Sequence, residues 1–386
     1  FFFQAEDGIR DAQESRGPGD VYKRQLPAER LLSNELMAAR GTVRSALTIL
    51  EEQGLLQRGP GRIRYVRCIR GQRVGILNRT IAVITRISLL DHNRITPTSE
   101  QRQLHDTFLS CLDERGFAAL FVGYQRWLET KGRDLIRIKP AGVAVICDAT
   151  WDENEIACLH LMRNEGIPFV VFGNAPALHA FDRISPDHAS GSRDVTQWLI
   201  SQGCRRILRF WVGHKWWLDE RDAGYKQAIT EAGLEEITPL RIPCLPETGN
   251  DREAFTQRMR IVAGFLPEYL TDSQPIDGLL VTTDGYAYIM AAALRLFGKV
   301  PNRDIWIGGY DHYWWPSPDA EFEPCGAAVT IDKRYDRIAA AMIDLLQERM
   351  DGRLPMSPQL RLVKGDLIEL HSVKQKINFY PTRCHT

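Results

Sequence analysis

Residues 26–66 read LPAERLLSNELMAARGTVRSALTILEEQGLLQRGPGRIRYV, and this stretch predicts a small domain of two helices and a hairpin. Pro27 favours a helix start, and the leucines that follow it recur at helical spacing. Thr42 is a plausible N-cap for a second helix, and Gly54 stands where a helix C-cap favours positive φ. Two short apolar runs flank a Gly-Pro-Gly turn, which predicts a β-hairpin. Two helices followed by a hairpin predict a winged helix-turn-helix.

This stretch is rich in arginine, although the whole chain carries 49 basic and 49 acidic residues. From residue 26 to residue 70 there are eight arginines and four glutamates. The start of the second predicted helix would enter a major groove, where arginine can bind guanine edges, and the hairpin would contact phosphates or the minor groove. The candidate DNA-contacting residues are Arg30, Arg40, Thr42, Arg44, Arg58, Arg62 and Arg64. The alternative is a helical hairpin whose arginines are simply solvated.

The same stretch resembles the GntR-type winged helix of bacterial repressors. The blocks LPAERLL and ARGTVRSALTILEEQGLL and the glycine-rich basic hairpin follow one another in the family's order. Ala28 and Ala39 stand where the family has serine, which weakens two caps or phosphate contacts but leaves the arginines in place. The family has a further helix before the first block, and we expect that first helix to be missing from a DNA-binding domain at residues 26–70.

Residues 1–25 read FFFQAEDGIRDAQESRGPGDVYKRQ and show neither helical nor strand periodicity. They resemble the translated adaptor read-through found at the ends of some metagenomic gene models, especially in the final VYKRQ. We therefore expect this segment to be non-native or disordered and to contribute nothing to the fold.

The composition of the 386 residues, 44% of them hydrophobic, indicates two or three domains with real cores. No run of about 20 apolar residues is present, so we expect no membrane span. The eight cysteines are scattered without a C-x-x-C pair, which fits reduced thiols in a cytoplasm. The sequence lacks G-x-S-x-G, a Walker loop, H-E-x-x-H and histidines at metal spacing. We expect a cytoplasmic protein without cofactor, metal or enzymatic activity.

From residue 72 onward, apolar strands alternate with amphipathic helices, which predicts an α/β fold with parallel sheets covered on both faces. The pattern restarts near residue 190, so we expect two lobes of similar build within residues 71–386. In such sheets a ligand lies beyond the carboxyl ends of the strands. The expected division puts residues 72–184 and 324–352 in lobe 1, and residues 185–323 and 353–373 in lobe 2.

This half resembles the effector-binding domain of the LacI family, which has a periplasmic-binding-protein-like fold. The resemblance is carried by an ordered set of blocks: GIPFVVFGN, SQGCRRI, RDAGYKQAITEAGL, LLVTTDGYAYIMAAAL, VPNRDIWIGGYDH and GDLIEL. Thr283 stands where the family has asparagine before Asp284, and His312 stands where it has a second aspartate after Asp311. Both departures fall at the expected cleft, so the ligand's identity does not follow from the resemblance.

The resemblance implies that Arg221 clamps hydroxyls or a carboxylate of the ligand, a task that suits a planar donor fork. The alternative is a helix arginine paired with Asp219 or Asp222. Asp311 follows a strand and would accept hydrogen bonds from two sugar hydroxyls, unless it serves an Asx turn. Thr283 is a candidate for ligand contact with Asp284 as the helix cap, although Thr283 at a strand end also suits a cap.

Tryptophans in loops after strands of lobe 2 are expected to face the cleft, because indole rings stack on sugar rings, bases and cations. The alternative is ordinary packing at the interface of the lobes. Arg86 follows the first strand and is expected to line the opposite wall. The tryptophans placed in such loops are Trp211, Trp216, Trp217, Trp314 and Trp315, of which Trp216, Trp217 and Trp314 are the chosen ligand candidates.

Together these features predict a one-component transcriptional regulator, expected to be a repressor, whose operator binding is controlled by a small effector such as a sugar. Closure of the lobes would reorient paired DNA-binding domains, and a palindromic operator calls for a homodimer. One alternative is a solute-binding module without functional DNA binding. Another is a regulator that responds to a nucleoside or purine, because the tryptophans suit either ligand.

Overall fold

The computed structural model describes residues 26–35, 38–52, 56–58, 64–66, 76–85, 100–147, 151–246, 251–271, 274–312 and 317–370. The expected non-native segment at residues 1–25 lies outside the described residues. The chain divides into two compact units, one up to Val74 and one from Gly75 onward.

The first unit consists of two helices and an antiparallel hairpin. Its elements are α1 (Glu29–Glu35), α2 (Arg40–Glu52), β1 (Leu56–Arg58) and β2 (Arg64–Val66). Val43 and Leu47 of α2 are buried against Leu56, so the helical spacing predicted from the sequence forms a small core. The predicted hairpin is confirmed by the pairing of β1 with β2. The prediction of Thr42 as an N-cap is wrong, because α2 already begins at Arg40 and Thr42 lies in its first turn.

The second unit contains two α/β lobes, each built on a six-stranded sheet. The sheet of lobe 1 has the order β13-β7-β6-β5-β3-β4, and all its neighbouring strands are parallel. Its elements are β3 (Thr80–Thr85), α3 (Glu100–Glu114), β4 (Ala118–Gly123), α4 (Tyr124–Glu129), α5 (Arg133–Ile138), β5 (Gly142–Ile146), α6 (Glu153–Asn164), β6 (Phe169–Phe172), β7 (Arg183–Pro186), α12 (Tyr335–Met350) and β13 (Leu360–Val363). A 3-10 turn at Ile76–Arg79 precedes β3.

The sheet of lobe 2 has the order β14-β12-β11-β10-β8-β9, and only the pairing of β12 with β14 is antiparallel. Its elements are α7 (His188–Ser201), β8 (Ile207–Val212), α8 (Trp216–Glu231), β9 (Leu240–Ile242), α9 (Arg252–Ala263), α10 (Pro267–Thr271), β10 (Gly278–Val281), α11 (Asp284–Leu296), β11 (Trp306–Gly308), β12 (Val329–Asp332) and β14 (Asp366–Glu369). Short 3-10 turns lie at Pro176–Leu178 in lobe 1 and at Pro318–Glu321 in lobe 2.

Both faces of each sheet are buried, as the continuous apolar runs predict. In β3, Ile81 and Val83 face the core that contains α3 and α12, while Ala82 and Ile84 face the core on the other side. Alternate side chains of a strand point to opposite faces, so a strand covered on both sides must be apolar at every position. The predicted two-lobed α/β architecture is therefore confirmed.

The chain crosses between the lobes three times, at residues 187, 333–334 and 364–365, and each crossing is short. The expected division of the C-terminal part is wrong. It assigned β12 to lobe 1 and β13 to lobe 2, but β12 pairs with β11 and β13 pairs with β7. The chain therefore changes lobes only after β12, at residues 333–334, and again only after β13, at residues 364–365. Across the described residues, every helix is too short or too polar to span a membrane.

Candidate functional site

The carboxyl ends of three lobe 2 strands bring polar residues to one edge of the sheet. Thr282 follows β10, Asp311 follows β11, and Lys333 follows β12. Parallel strands end at the same edge, where open α/β sheets bind ligands. The crossing at residues 333–334 leaves from this edge, and the crossing at residue 187 leaves from the carboxyl end of β7 in lobe 1, so the site lies where the chain passes between the lobes.

Arg221 lies in α8 and is almost completely buried at this edge. Its Nη1 donates to the carbonyl oxygen of Thr282 at 2.6 Å, and its Nη2 lies 3.6 Å from Oδ1 of Asp311. The guanidinium carbon lies 3.4 Å from the ring centroid of Tyr310 and 4.4 Å from that of Trp217. The guanidinium is thus held between two aromatic faces, where cation–π attraction stabilises it.

The alternative pairing of Arg221 with Asp219 or Asp222 is not what the structure contains. The carboxylate of Asp222 contacts Arg209 and Arg241, and Asp219 also contacts Arg241. The two acids therefore form a separate network with Arg209 and Arg241. Arg221 instead contacts residues at the strand ends.

Asp311 is buried and has a φ of 99°, a conformation that L-residues rarely adopt. Its Oδ1 lies 2.6 Å from Nζ of Lys333, in addition to the contact with Arg221. The side chain therefore joins an ion cluster and not the Asx turn that was the alternative. Strained backbone at a buried charged residue is typical of functional sites. Arg221 and Asp311 are therefore sequence-predicted site residues that the structure brings together, and Trp217 joins them through its contact with Arg221.

The N-cap position of α11 belongs to Thr283 and not to Asp284. Thr283 occupies the N-cap position of α11, although its hydroxyl makes no capping hydrogen bond. Asp284 belongs to the buried cluster, where its Oδ2 accepts hydrogen bonds from the backbone N–H of His312 at 2.7 Å and from Oγ1 of Thr330 at 2.8 Å. Burial, followed by the negative charge of Asp311, raises the pKa of Asp284 to about 8.

Five tryptophans were predicted to lie in loops, but the three that the structure describes lie in a strand or a helix. Trp211 is buried within β8 and donates to Asp222 at 2.8 Å, so it faces the core and not the cleft. Trp216 and Trp217 form the first turn of α8, so they belong to a helix and not to a loop. Trp217 still faces the cluster through its contact with Arg221. Trp314, Trp315 and Arg86 lie outside the described residues.

Trp216 packs against lobe 1. A Cβ added to Gly173, which has a φ of 115°, would lie 3.4 Å from Cζ2 of Trp216. A second contact between the lobes runs from Nδ2 of Asn174 to Oε1 of Glu220 at 2.7 Å. The GIPFVVFGN block, whose end lies beyond β6, therefore meets α8 at the site.

Sequence reasoning missed His188 and Lys333, as well as Tyr310, whose ring covers the guanidinium of Arg221. His188 follows the first crossing, is buried, and places its ring within 6.0 Å of the rings of Trp216, Trp217 and Tyr310. Burial, and then the charges of Arg221 and Lys333, lower the pKa of His188 well below its ordinary value. His188 lies two residues after β7, and Lys333 directly follows β12. Their positions just beyond strand ends are the signal that could have identified them.

The candidate DNA-contacting residues lie in the first unit. Arg30, Arg40 and Thr42 are exposed, and Arg44 keeps 68% of its side chain exposed while it contacts Glu29. Arg64 is a correction: its guanidinium is mostly buried between Glu29 and Glu51, so it holds the hairpin to the helices and is not available for phosphate. The backbone of Arg58 lies in β1. The side chain of Arg58 and the whole of Arg62 lie outside the part of the chain that the structure describes.

The described part of the chain contains no group of three or more His, Cys, Asp or Glu residues placed to hold a metal ion. Catalytic residues were not predicted from the sequence. The Arg221–Asp311–Lys333 cluster offers donors and acceptors around a buried edge, which suits the binding of a polar molecule.

A family model described as a periplasmic binding protein-like domain matches residues 196–373. Residues of both lobes fall within this match. No curated protein matches the chain.

Three solved structures illustrate the likeness. The transcriptional regulator CelR in complex with cellobiose has a TM-score of 0.57 at 19% identity, covering 89% of this chain and 98% of that chain. A regulatory protein of the LacI family from Chloroflexus aggregans has a TM-score of 0.58 at 19% identity, with coverage of 75% and 98%. A LacI family transcriptional regulator from Enterococcus faecium with bound ribose has a TM-score of 0.52 at 16% identity, with coverage of 75% and 97%. The two lobes have the periplasmic-binding-protein-like fold.

Proposed function

We propose that this protein is a DNA-binding transcriptional regulator whose operator binding is controlled by a sugar bound between the two lobes. The observation that carries the proposal is the Arg221–Asp311 contact at the carboxyl ends of the strands. It lies in a chain whose first unit presents exposed arginines on a helix followed by a hairpin.

The ligand half of the proposal rests on complementary donors and acceptors. Arg221 offers a planar set of N–H donors that suits vicinal hydroxyls, and Asp311 offers carboxylate oxygens as acceptors. Trp217 and Tyr310 enclose the guanidinium and hold it in place at the strand ends. Cellobiose and ribose in structures of the same fold support a sugar as the ligand class.

The DNA half rests on the resemblance to the GntR-type winged helix and on the exposure of its arginines. Arg40 and Arg44 lie in the first turns of α2, the position from which a recognition helix contacts bases. A ligand that binds the closed lobes better than the open ones would shift their population. In a homodimer on a palindromic operator, that shift would change the population of DNA-competent dimers. No catalytic step is part of this proposal.

The test uses the full chain and a library of random duplexes. Repeated selection should enrich one palindromic sequence, and a panel of sugars, with nucleosides as the comparison class, should then be screened for a change in affinity for it. Failure to enrich any sequence would reject the DNA half and leave a sensor module. A response to nucleosides alone would reject sugar as the ligand class.

Arg221→Ala should abolish the response to the sugar while binding to the enriched duplex persists, because the substitution removes donors at the cleft and leaves the first unit unchanged. Arg303→Ala is the matched control. Arg303 is an exposed arginine of lobe 2 that pairs with its neighbour Asp304. An unchanged response in the Arg221 variant would remove this residue from the ligand site.

A further inference from the structure

Glu29 lies at the centre of a chain of four charges in the first unit. Its Oε2 accepts from Nε and Nη2 of Arg44, at 3.1 and 3.0 Å, and its Oε1 accepts from Nη1 of Arg64 at 2.8 Å. Nε of Arg64 in turn donates to Glu51 at the end of α2. One carboxylate thus joins the start of α1, the early part of α2 and the second strand of the hairpin.

The exposure of these side chains changes along the network. The side chains of Arg64 and Glu51 are 14% and 16% exposed, whereas that of Arg44 is 68% exposed. The less exposed pair, Arg64 and Glu51, therefore holds the hairpin to α2, while Glu29 orients Arg44, which faces solvent. A guanidinium has five N–H donors, so the two held by Glu29 leave three for another partner.

Hydrogen bonds from Arg64 and Arg44 lower the pKa of Glu29, so it is a carboxylate at neutral pH. A carboxylate beside a DNA-contacting arginine has two opposed effects. Its charge repels phosphates of any sequence and weakens non-specific binding. Its hydrogen bonds hold the long side chain of Arg44 in place before binding, which reduces the entropy lost on a specific base contact.

We propose that Glu29 is a positioning residue for Arg44 that raises the ratio of specific to non-specific DNA affinity. The proposal rests on the proposed function, because it requires Arg44 to contact a base. It assigns Glu29 a role in discrimination between sequences and not in overall affinity. The base that such an arginine recognises best is guanine, through its O6 and N7 atoms.

The experiment measures dissociation constants of the full chain for the enriched duplex and for a scrambled duplex of equal length and composition. Glu29→Ala should tighten binding to the scrambled duplex about threefold and weaken binding to the enriched duplex about tenfold. Glu29→Gln, which removes the charge but keeps an acceptor oxygen, should tighten scrambled binding equally and lose less of the specific affinity.

Glu52→Ala is the matched control. Glu52 is exposed at the end of α2, so its replacement removes the same charge from the same unit without touching an arginine in the network. It should tighten binding to both duplexes alike and leave their ratio unchanged. The same measurements in an Arg44→Ala background isolate the pairwise effect. There Glu29→Ala should no longer change the ratio.

Several outcomes would overturn the inference while the proposed function stands. One such outcome is that Glu29→Ala leaves the ratio of specific to non-specific affinity unchanged. Another is that Glu29→Ala lowers this ratio as much in the Arg44→Ala background as in the wild type, which would mean that Glu29 has a merely structural role. If Glu29→Ala does not fold, Glu29→Gln with and without Arg44 decides the question in the same way. Failure of the library to enrich any duplex would overturn the inference and the DNA half of the proposed function together.

Discussion

The carboxyl group of Asp284 should make the stability of the α/β unit depend on pH in a way that Asp284→Asn removes. Oδ1 of Asp284 is inaccessible to solvent and accepts no hydrogen bond from any described residue. It packs so closely on Gly309 that a Cβ there would lie 1.9 Å away. Burial and the nearby charge of Asp311 raise its pKa to about 8, so the folded protein retains this proton when an unfolded chain has lost it.

The sign follows from proton binding in the two states. Between the ordinary aspartate pKa of about 4 and the folded pKa, the native state binds more protons than the unfolded state, so stability falls as pH rises. Each pH unit in this window costs about 1.4 kcal/mol, so the wild type should lose about 3 kcal/mol between about pH 5.5 and pH 7.5 from this group alone. Asparagine keeps an oxygen that can accept from Thr330 and His312 but has no proton to lose.

The assay is urea unfolding of the wild type and the variant at a series of pH values, followed by tryptophan fluorescence. All nine tryptophans lie between residues 127 and 315, so the signal reports on the α/β unit alone. The free energy of unfolding of Asp284→Asn should rise relative to that of the wild type by about 3 kcal/mol over the window. For Asp113→Asn, which removes an exposed carboxyl, the free energy of unfolding should depend on pH as it does in the wild type. The same pH dependence in Asp284→Asn and the wild type would refute the idea that Asp284 retains a proton in the folded state.

Two further predictions concern DNA contact and helix packing. Arg44→Ala should weaken binding to the enriched duplex by about 1–3 kcal/mol and leave ligand binding unchanged, whereas an equal loss on scrambled DNA would rule out base reading. Gly224→Ala should destabilise the α/β unit by more than about 3 kcal/mol in urea unfolding, because its Cβ would lie 1.9 Å from the carbonyl oxygen of Ala189. Gly123→Ala, whose Cβ would meet no atom within 4 Å, should change the free energy of unfolding by less than about 1 kcal/mol.

Central elements could be predicted from the sequence because their signals are local. Every residue of β3 is buried, and the corresponding run TIAVIT is continuously apolar apart from its ends. Helix α6 begins at Glu153 after a capping box formed by Asp152 and Glu155, a signal contained within four residues. The edge strands β9 and β13 were missed, since they are only three and four residues long and their side chains are partly exposed. An edge strand is defined by the neighbour that it pairs with, which is distant in the chain.

The site was predicted only in part, because some of its residues have local signals and others depend on partners that are distant in the chain. Arg221 and Asp311 were identified by resemblance and by their position after strands, and they do come together. Lys333 was missed because its partner Asp311 is 22 residues away and meets it only across neighbouring strand ends. Arg64 was assigned to DNA because its two carboxylate partners cannot be recognised from the sequence alone.

The sequence by itself determined the class of fold, since hydrophobic period and turn residues act over a few neighbouring positions. It also determined which strand ends carry polar side chains. Only the tertiary structure decided which lobe receives β12 and β13, which arginines are exposed, and which carboxyl group retains a proton. These properties depend on burial and on charges brought together from distant parts of the chain, and both are set by packing that no local pattern contains.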